Sequence, residues 1–211
     1  MRDMVQVRRT GGQRYTGPDI NTPRSQFNRS HGWKGTFDAS YLIPIFVDEV
    51  LPGDTMTCKL NGFARIFSPL EAPVMDNIEL RTEFFFVPCR LVWDNWVYFM
   101  GEHDAAGAQD TTYTIPRCAD GTTVSHAMGT AAGQLMGYMG IPDGLSTTAE
   151  RVNALPLRCY NLIYTEFYRD QNTEAEPSNV TNDGPDTMSN YVLRKTAKKH
   201  GYFTSALPYL Q

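Results

Sequence analysis

The chain has 211 residues, of which 41% are hydrophobic and 20% charged, and its formal net charge is -4 at pH 7. This composition is typical of a soluble globular protein with one large domain, or one domain with an elaborate insertion. No apolar run approaches the roughly 18 residues that a membrane span needs. The N-terminal sequence MRDMVQVRR also lacks the apolar core of a secretory signal. We therefore expect no membrane insertion.

Residues 1–35 have the composition of a basic arm without a core of its own. They hold seven basic and two acidic residues, a net charge of +5, whereas the remaining 176 residues carry -9. A basic arm on an acidic body often contacts a polyanion, with arginines on phosphates and aromatic rings on unpaired bases. An arm that only grips neighbouring subunits, or a solvated tail, would have the same composition. The candidate DNA contacts are Arg2, Arg8, Arg9, Arg14, Arg24, Arg29 and Lys34.

Residues 36–100 are predicted to supply the first strands and a short helix. The sequence alternates apolar and polar residues from Thr36, and Pro44 indicates an edge strand or a break because proline donates no ladder hydrogen bond. Residues 51–54, Leu-Pro-Gly-Asp, predict a turn, since proline presets φ and glycine accepts the left-handed conformation. Residues 55–67 and 77–90 are further strand candidates. The run that begins at Trp93 has the spacing of a short helix.

Residues 101–150 are rich in Gly, Ala and Thr, which is typical of a functional loop or an insertion. A short helix is predicted at 131–138. Residues 151–211 open with the strongest helix of the chain, at 153–170, where apolar side chains recur at helical spacing and Pro156 lies near the first turn. An exposed acidic loop is expected at 172–190, followed by a basic segment at 194–200.

The sequence offers no persuasive catalytic or metal site, and no cofactor is expected. Phosphate-binding, dinucleotide-binding and nucleophile-elbow motifs are all missing. Four cysteines lie about 30 to 40 residues apart without any CxxC pair, which disfavours zinc and favours free thiols. His103 beside Asp104 has the elements of a base with its carboxylate, but a solvated loop explains the pair as well. The paired carboxylates elsewhere are expected to be solvated surface.

Several long stretches, in order along the chain, resemble the major capsid proteins of the Microviridae, the small icosahedral single-stranded DNA phages, and above all their gokushovirus branch. The first is FNRSHGWKGTFDASYLIPIFVDEVLPGDT, and the second is SPLEAPVMDNIELRTEFFFVPCRLVWDNWVYFMG. Within them the family motifs match at Ser30-His31, at 50–55, at 68–75 and at 85–96. Further on, LPLRCYNLIYTEFYRDQN and GYFTSALPYLQ match as well. Residues 101–150 and 173–193 match in position only.

The resemblance implies a mainly β fold, a viral jelly roll of two antiparallel sheets with long loop and helical insertions. It implies a T=1 icosahedral shell of sixty copies around a circular single-stranded DNA genome, assembled in the cytoplasm of a bacterial host. Internal scaffolding proteins, DNA pilot proteins and a host-cell receptor are further partners that it raises. Capsid proteins of the family are longer, and the last motif here lies mid-chain in them. We therefore expect the N-terminal part of such a protein, with an incomplete jelly roll.

The leading hypothesis is thus a structural coat protein of a virion, without enzymatic activity. Aromatic side chains carry much of the energy of protein interfaces. The candidate subunit contacts are accordingly Trp33, Trp93, Trp96, Tyr164, Phe167, Tyr202 and Phe203. Two other classes remain open on the residues alone. One is a lectin-like β-sandwich that binds carbohydrate through its loops, and the other is a hydrolase that uses His103 or the paired carboxylates.

Overall fold

The structure is a computed structural model, and it describes residues 23–67, 69–75, 77–102, 113–118, 124, 131–145 and 152–197. The chain divides into two compact units, Met1–Gly35 and Thr36–Gln211. The described part of the first unit, 23–35, is exposed throughout and carries neither helix nor strand. All the described helices, strands and core residues belong to the second unit. None of the helices in these ranges has the length and apolar character that a membrane crossing requires.

The helix predicted at 153–170 is confirmed, with α-helix over Leu155–Ile163 continuing as π-helix over Tyr164–Tyr168. Proline suits its first turn because the missing N–H would have no partner there. The predicted apolar stripe faces inward at Leu157, Tyr160 and Tyr164, which are all buried. Arg169 then adopts an extended conformation and ends the helix. We label this helix α3, because two shorter α-helices precede it in the chain.

A compact core forms around α3. The short helix Trp96–Phe99 is α1, and the helix Ala131–Tyr138, which the sequence predicts with the same bounds, is α2. Strands β1 (Arg117–Cys118) and β2 (Val152–Asn153) pair antiparallel, and β2 lies directly before α3 in the chain. Two short 3-10 helices complete the elements, Cys89–Leu91 and Met188–Asn190. The buried core residues are Cys118, Val124, Leu135, Met136, Ala154, Leu157, Tyr160, Met188, Tyr191 and Leu193.

The short helix predicted near Trp93 is present as α1, and the chain just before it is bound to residues 181–183. The indole Nε1 of Trp93 donates to Asp183 Oδ1 at 2.6 Å, and the Asn95 side chain donates to the same oxygen at 2.9 Å. The Asp94 backbone N–H donates to the Thr181 carbonyl at 2.9 Å. These bonds fix the start of α1 against a distant part of the chain.

The predicted turn at 51–54 is confirmed, whereas the strands predicted around it do not pair here. Asp54 N–H donates to the Leu51 carbonyl at 3.1 Å, and Gly53 has φ of 88°, a conformation that glycine adopts without strain. In the described part of 36–92, the pairing is a bridge between Tyr41 and Lys195, and no strand longer than that is present. A strand is defined by a neighbour, and 46–87 finds none among the described residues.

Candidate assembly surface

One segment of the second unit is exposed throughout. Every described residue from 49 to 86 is exposed, and we call this range the apolar segment. Phe63 and Met75 show 90% and 93% of their surfaces to solvent. The other large exposed hydrophobic side chains of the segment are Val50, Leu51, Met56, Leu60, Ile66, Phe67, Leu70, Val74, Ile78, Leu80, Phe84, Phe85 and Phe86.

Such a concentration of apolar side chains needs a partner. Exposed hydrophobic residues scattered singly are ordinary, but this many along one segment of the chain are typical of an interaction site. Burying one Val, Phe, Leu, Ile or Met side chain contributes about 1.5–3 kcal/mol, so fifteen of them represent a large unused driving force. The apolar segment is therefore the part of the described chain best suited to associate with other protein.

The far end of the apolar segment is attached to the end of α3. The ring of Phe85 lies 4.9 Å from that of Phe167 and 6.0 Å from that of Tyr168, centroid to centroid. The Tyr168 hydroxyl donates to the carboxylate of Glu83. Burial, and then the bond to Glu83, raise the pKa of Tyr168. A partner that binds this end of the apolar segment would thus lie next to the π-helical turn.

A buried polar cluster joins α3 to the loop that follows it. The Arg158 guanidinium donates to both carboxylate oxygens of Asp186, at 2.8 and 2.7 Å, and to the Val92 carbonyl at 2.9 Å. Tyr191 donates its hydroxyl to the same carboxylate. Burial and this bond raise the pKa of Tyr191 well above its usual value. We call Arg158, Asp186 and Tyr191 the polar cluster.

This cluster was not predicted from the sequence, which indicates an exposed acidic loop at 172–190. That expectation is wrong at Asp186, of which 2% is exposed. The available signal was Arg158, which directly follows the apolar Leu157 and so falls on the buried face of the predicted helix. A guanidinium at such a position requires a carboxylate or several carbonyl acceptors. Since the ions are fully enclosed, the cluster can organise the loop but cannot meet a substrate.

The candidate subunit contacts divide into buried and accessible side chains. Trp93 and Tyr164 lie inside the chain, and Trp93 packs on the rings of Trp96 and Phe99. Their aromatic character therefore serves the internal core in this structure. Trp33 and Phe167 are exposed, Phe167 by 66%, and Trp96 is half-buried. Tyr202 and Phe203 lie outside the described residues.

The candidate DNA contacts lie in the first unit, and three of them are described. Arg24, Arg29 and Lys34 are all exposed, as contact with an extended polyanion requires. Arg2, Arg8, Arg9 and Arg14 lie outside the described residues. The role of the arm in binding nucleic acid stays a prediction.

Chemistry at the described residues is limited. They contain no group of three or more His, Cys, Asp or Glu side chains that could hold a metal ion. Burial, with a smaller contribution from Cys89, raises the pKa of the Cys159 thiol to about 12, which is the opposite of what a nucleophilic cysteine needs. His103, the residue on which the hydrolase hypothesis depends, lies outside the described residues.

Comparison with known proteins identifies the family. Residues 18–211 match the family model described as "Capsid protein (F protein)". The chain is 45% identical over 194 residues to capsid protein VP1 of Bdellovibrio phage phiMH2K and 40% identical over 214 residues to capsid protein VP1 of Chlamydia phage 1. Each match covers 92% of this chain and 35% of the relative.

A more distant relative gives the same result. Capsid protein VP1 of Spiroplasma virus 4 is 29% identical over 197 residues, which is 88% of this chain and 34% of that protein. The chain thus spans about a third of the length of the curated relatives that it matches. The names of these relatives describe a structural protein of a viral shell and no enzyme. The chain belongs to the capsid protein (F protein) family of the Microviridae.

Proposed function

We propose that the chain is part of a phage major capsid protein and that it contributes to the contacts by which copies of this protein assemble into a shell. The observation that carries this proposal is the apolar segment, whose described residues are all exposed. A self-assembling shell supplies what such a segment lacks, because each copy meets several others and apolar surface is buried at every contact. Family membership supports the same role.

The proposed fold is a viral jelly roll to which residues 36–92 contribute the first strands. Two features support it: the alternation of apolar and polar residues, and the lack of a strand partner for 46–87 among the described residues. Strands that complete the sheets would come from further polypeptide, since the match covers only 35% of each of these two relatives. We propose a T=1 shell of sixty such subunits.

In this proposal the arm, residues 1–35, lies inside the virion and touches the single-stranded DNA genome without reading its sequence. Its net charge of +5 and the exposure of Arg24, Arg29 and Lys34 support the assignment. Assembly would take place in the cytoplasm of the bacterial host, with internal scaffolding and DNA pilot proteins as further partners. The outer surface of the shell would meet a host-cell receptor.

Electron microscopy of the full polypeptide tests the structural role. We expect closed particles of a single size when the protein is expressed and purified at moderate salt. A protein that stays monomeric at high concentration, or that binds glycans in its monomeric form, would contradict the proposal and favour the lectin-like alternative. Loss of a hydrolytic activity in His103→Ala would favour an enzyme.

Deletion of the arm tests its role separately. A protein lacking residues 1–35 should keep its fold, because the described helices and core belong to the second unit. We expect it to form fewer particles or to retain less DNA, measured by the ratio of absorbance at 260 and 280 nm. Normal DNA content at moderate salt would show that the arm does not hold the genome.

A further inference from the structure

The apolar segment contains the single Asn-Gly pair of the chain, Asn61–Gly62. The side-chain amide of an asparagine and the backbone nitrogen of the next residue can close a five-membered ring. Glycine hinders this approach least, because it has no Cβ and its backbone is the most flexible. Both residues are exposed and lie outside any helix or strand. A Cβ built on Gly62 would meet no atom within 4 Å, so the space beside this backbone is open.

The reacting groups of this pair are free of hydrogen bonds within the described part of the chain. No described residue donates to the Asn61 side chain or accepts from the Gly62 N–H. Two Asp-Gly pairs that could close the same ring differ on this point. The N–H of Gly144 donates to a backbone carbonyl at 2.9 Å, and the N–H of Gly184 donates to a side-chain oxygen at 2.9 Å. In both of them the attacking nitrogen is held by another bond.

We propose that Asn61 is a site of spontaneous deamidation, and that its conversion to a carboxylate limits the time during which an unassembled subunit can join a shell. The Gly62 nitrogen forms a bond to the side-chain carbonyl carbon of Asn61. The C–N bond of the side-chain amide breaks, and its NH2 group takes the Gly62 proton and leaves as ammonia. Water then adds to either carbonyl of the cyclic imide, and ring opening gives aspartate or isoaspartate. Water is the only co-reactant.

The product would oppose burial of the apolar segment. Leu60 precedes the pair and Phe63 follows it, and both side chains are exposed. A carboxylate between them is charged at neutral pH, and burying an unpaired charge costs far more free energy than burying a neutral amide. Isoaspartate also lengthens the backbone by one methylene, which shifts the register of an extended segment. The inference rests on the proposed function, because it requires that assembly bury the apolar segment.

Mass spectrometry of the aged full polypeptide tests the reaction itself. Unassembled protein is kept at mildly alkaline pH, and its peptides are followed over time. We expect the peptide with Asn61 to gain one mass unit, whereas the peptide with Asn179, which is also exposed but precedes a valine, should keep its mass. Gly62→Ala should slow the reaction at least about 10-fold, equivalent to a barrier about 1.4 kcal/mol higher. An unchanged mass at Asn61, or equal rates with and without Gly62→Ala, overturns the inference.

Particle yield, counted by electron microscopy, tests the consequence for assembly. The aged protein should lose yield in step with its deamidated fraction. Asn61→Gln keeps a neutral amide but would have to close a larger ring, so it should assemble equally well before and after ageing. Freshly purified Asn61→Asp should show the reduced yield at once. The matched control is Gln171→Glu, which adds the same charge at an exposed residue outside the apolar segment and should assemble normally.

The outcomes separate this inference from the capsid role. Circular dichroism confirms that each variant is folded. Full yield from Asn61→Asp, or from protein whose Asn61 has been deamidated, overturns the limit on assembly. Closed particles should deamidate more slowly than unassembled subunits, and equal rates would also overturn that limit. Failure of fresh, unmutated protein to form shells would instead contradict the capsid role, while the mass measurements would still decide whether Asn61 is the reacting residue.

Discussion

The apolar segment and helix α3 are both rich in large apolar side chains, yet the same chain buries one and exposes the other. In α3, Leu157 and Tyr160 belong to one buried core with apolar residues of the loop 186–193, and the same loop supplies the carboxylate of Asp186 to Arg158. The apolar segment has no such loop opposite it among the described residues. The difference shows that hydrophobic content alone does not form a core: a second surface must be within reach of the chain.

The largest expected effect is on the polar cluster of the buried region. Asp186→Ala should lower the free energy of unfolding by about 3–5 kcal/mol, because it leaves the Arg158 guanidinium buried without its carboxylate. Urea denaturation measures the loss. Arg81→Ala is the matched control, since the ion pair of Arg81 with Glu83 is exposed and 3.6 Å long, and it should cost under about 1 kcal/mol. Equal losses in the two variants would contradict the contrast between the regions.

The double variant Arg158→Met/Asp186→Leu sharpens the same prediction. It removes both charges together, so it should be more stable than Asp186→Ala alone. If it is less stable, the hydrogen bond from Arg158 to the Val92 carbonyl, which Asp186→Ala keeps and the double variant loses, contributes more than the unpaired buried charge costs. Both outcomes can be measured by the same urea denaturation.

A smaller loss is expected for Trp93→Phe. Phenylalanine keeps an aromatic ring beside Phe99 but removes the indole N–H that donates to Asp183, so the buried site loses a charge-assisted hydrogen bond. We expect a loss of about 1–3 kcal/mol in the free energy of unfolding. Trp96→Phe provides the comparison, because Trp96 is half-buried and its loss should be smaller. Equal effects would mean that the bond between residues 93 and 183 contributes little.

The helices and the turn were predictable because their signals are local. The spacing of α3, the proline in its first turn and the glycine at position 53 each act within a few residues. The polar cluster was not predictable, since Arg158 and Asp186 lie 28 positions apart and nothing in the sequence indicates that the two ions meet. The sequence also does not distinguish an aromatic residue of the core, such as Trp93, from an accessible one, such as Phe167. Protein cores and protein interfaces are both rich in aromatic residues.

Alkaline pH should weaken the buried region through Tyr160. Burial raises the pKa of Tyr160 to about 12 from an ordinary value of 10.0. Between these two values the folded chain keeps a proton that the unfolded chain has lost, so the free energy of unfolding falls as pH rises. Tyr160→Phe should be less stable at pH 7, through its lost bond to the Leu42 carbonyl, but its stability should fall less steeply above pH 10. Equal slopes would show that Tyr160 does not control the transition.

The smallest change in stability is expected in the apolar segment, where the effect on assembly should be greatest. Phe63 is 90% exposed, so Phe63→Ser should change the free energy of unfolding of the chain by no more than about 0.5 kcal/mol. The same substitution should reduce the yield of closed particles from the full polypeptide, because it removes apolar area that only a partner would bury.

Met100→Ser is the matched control, since Met100 is 59% exposed but lies directly after α1, outside the apolar segment. We expect it to leave particle yield nearly unchanged in the same electron-microscopy assay. If both substitutions reduce assembly equally, exposure of an apolar side chain is sufficient and the apolar segment has no special role. If only Phe63→Ser does so, the contrast between the two regions is functional: burial within the chain stabilises the subunit, and burial by a partner builds the shell.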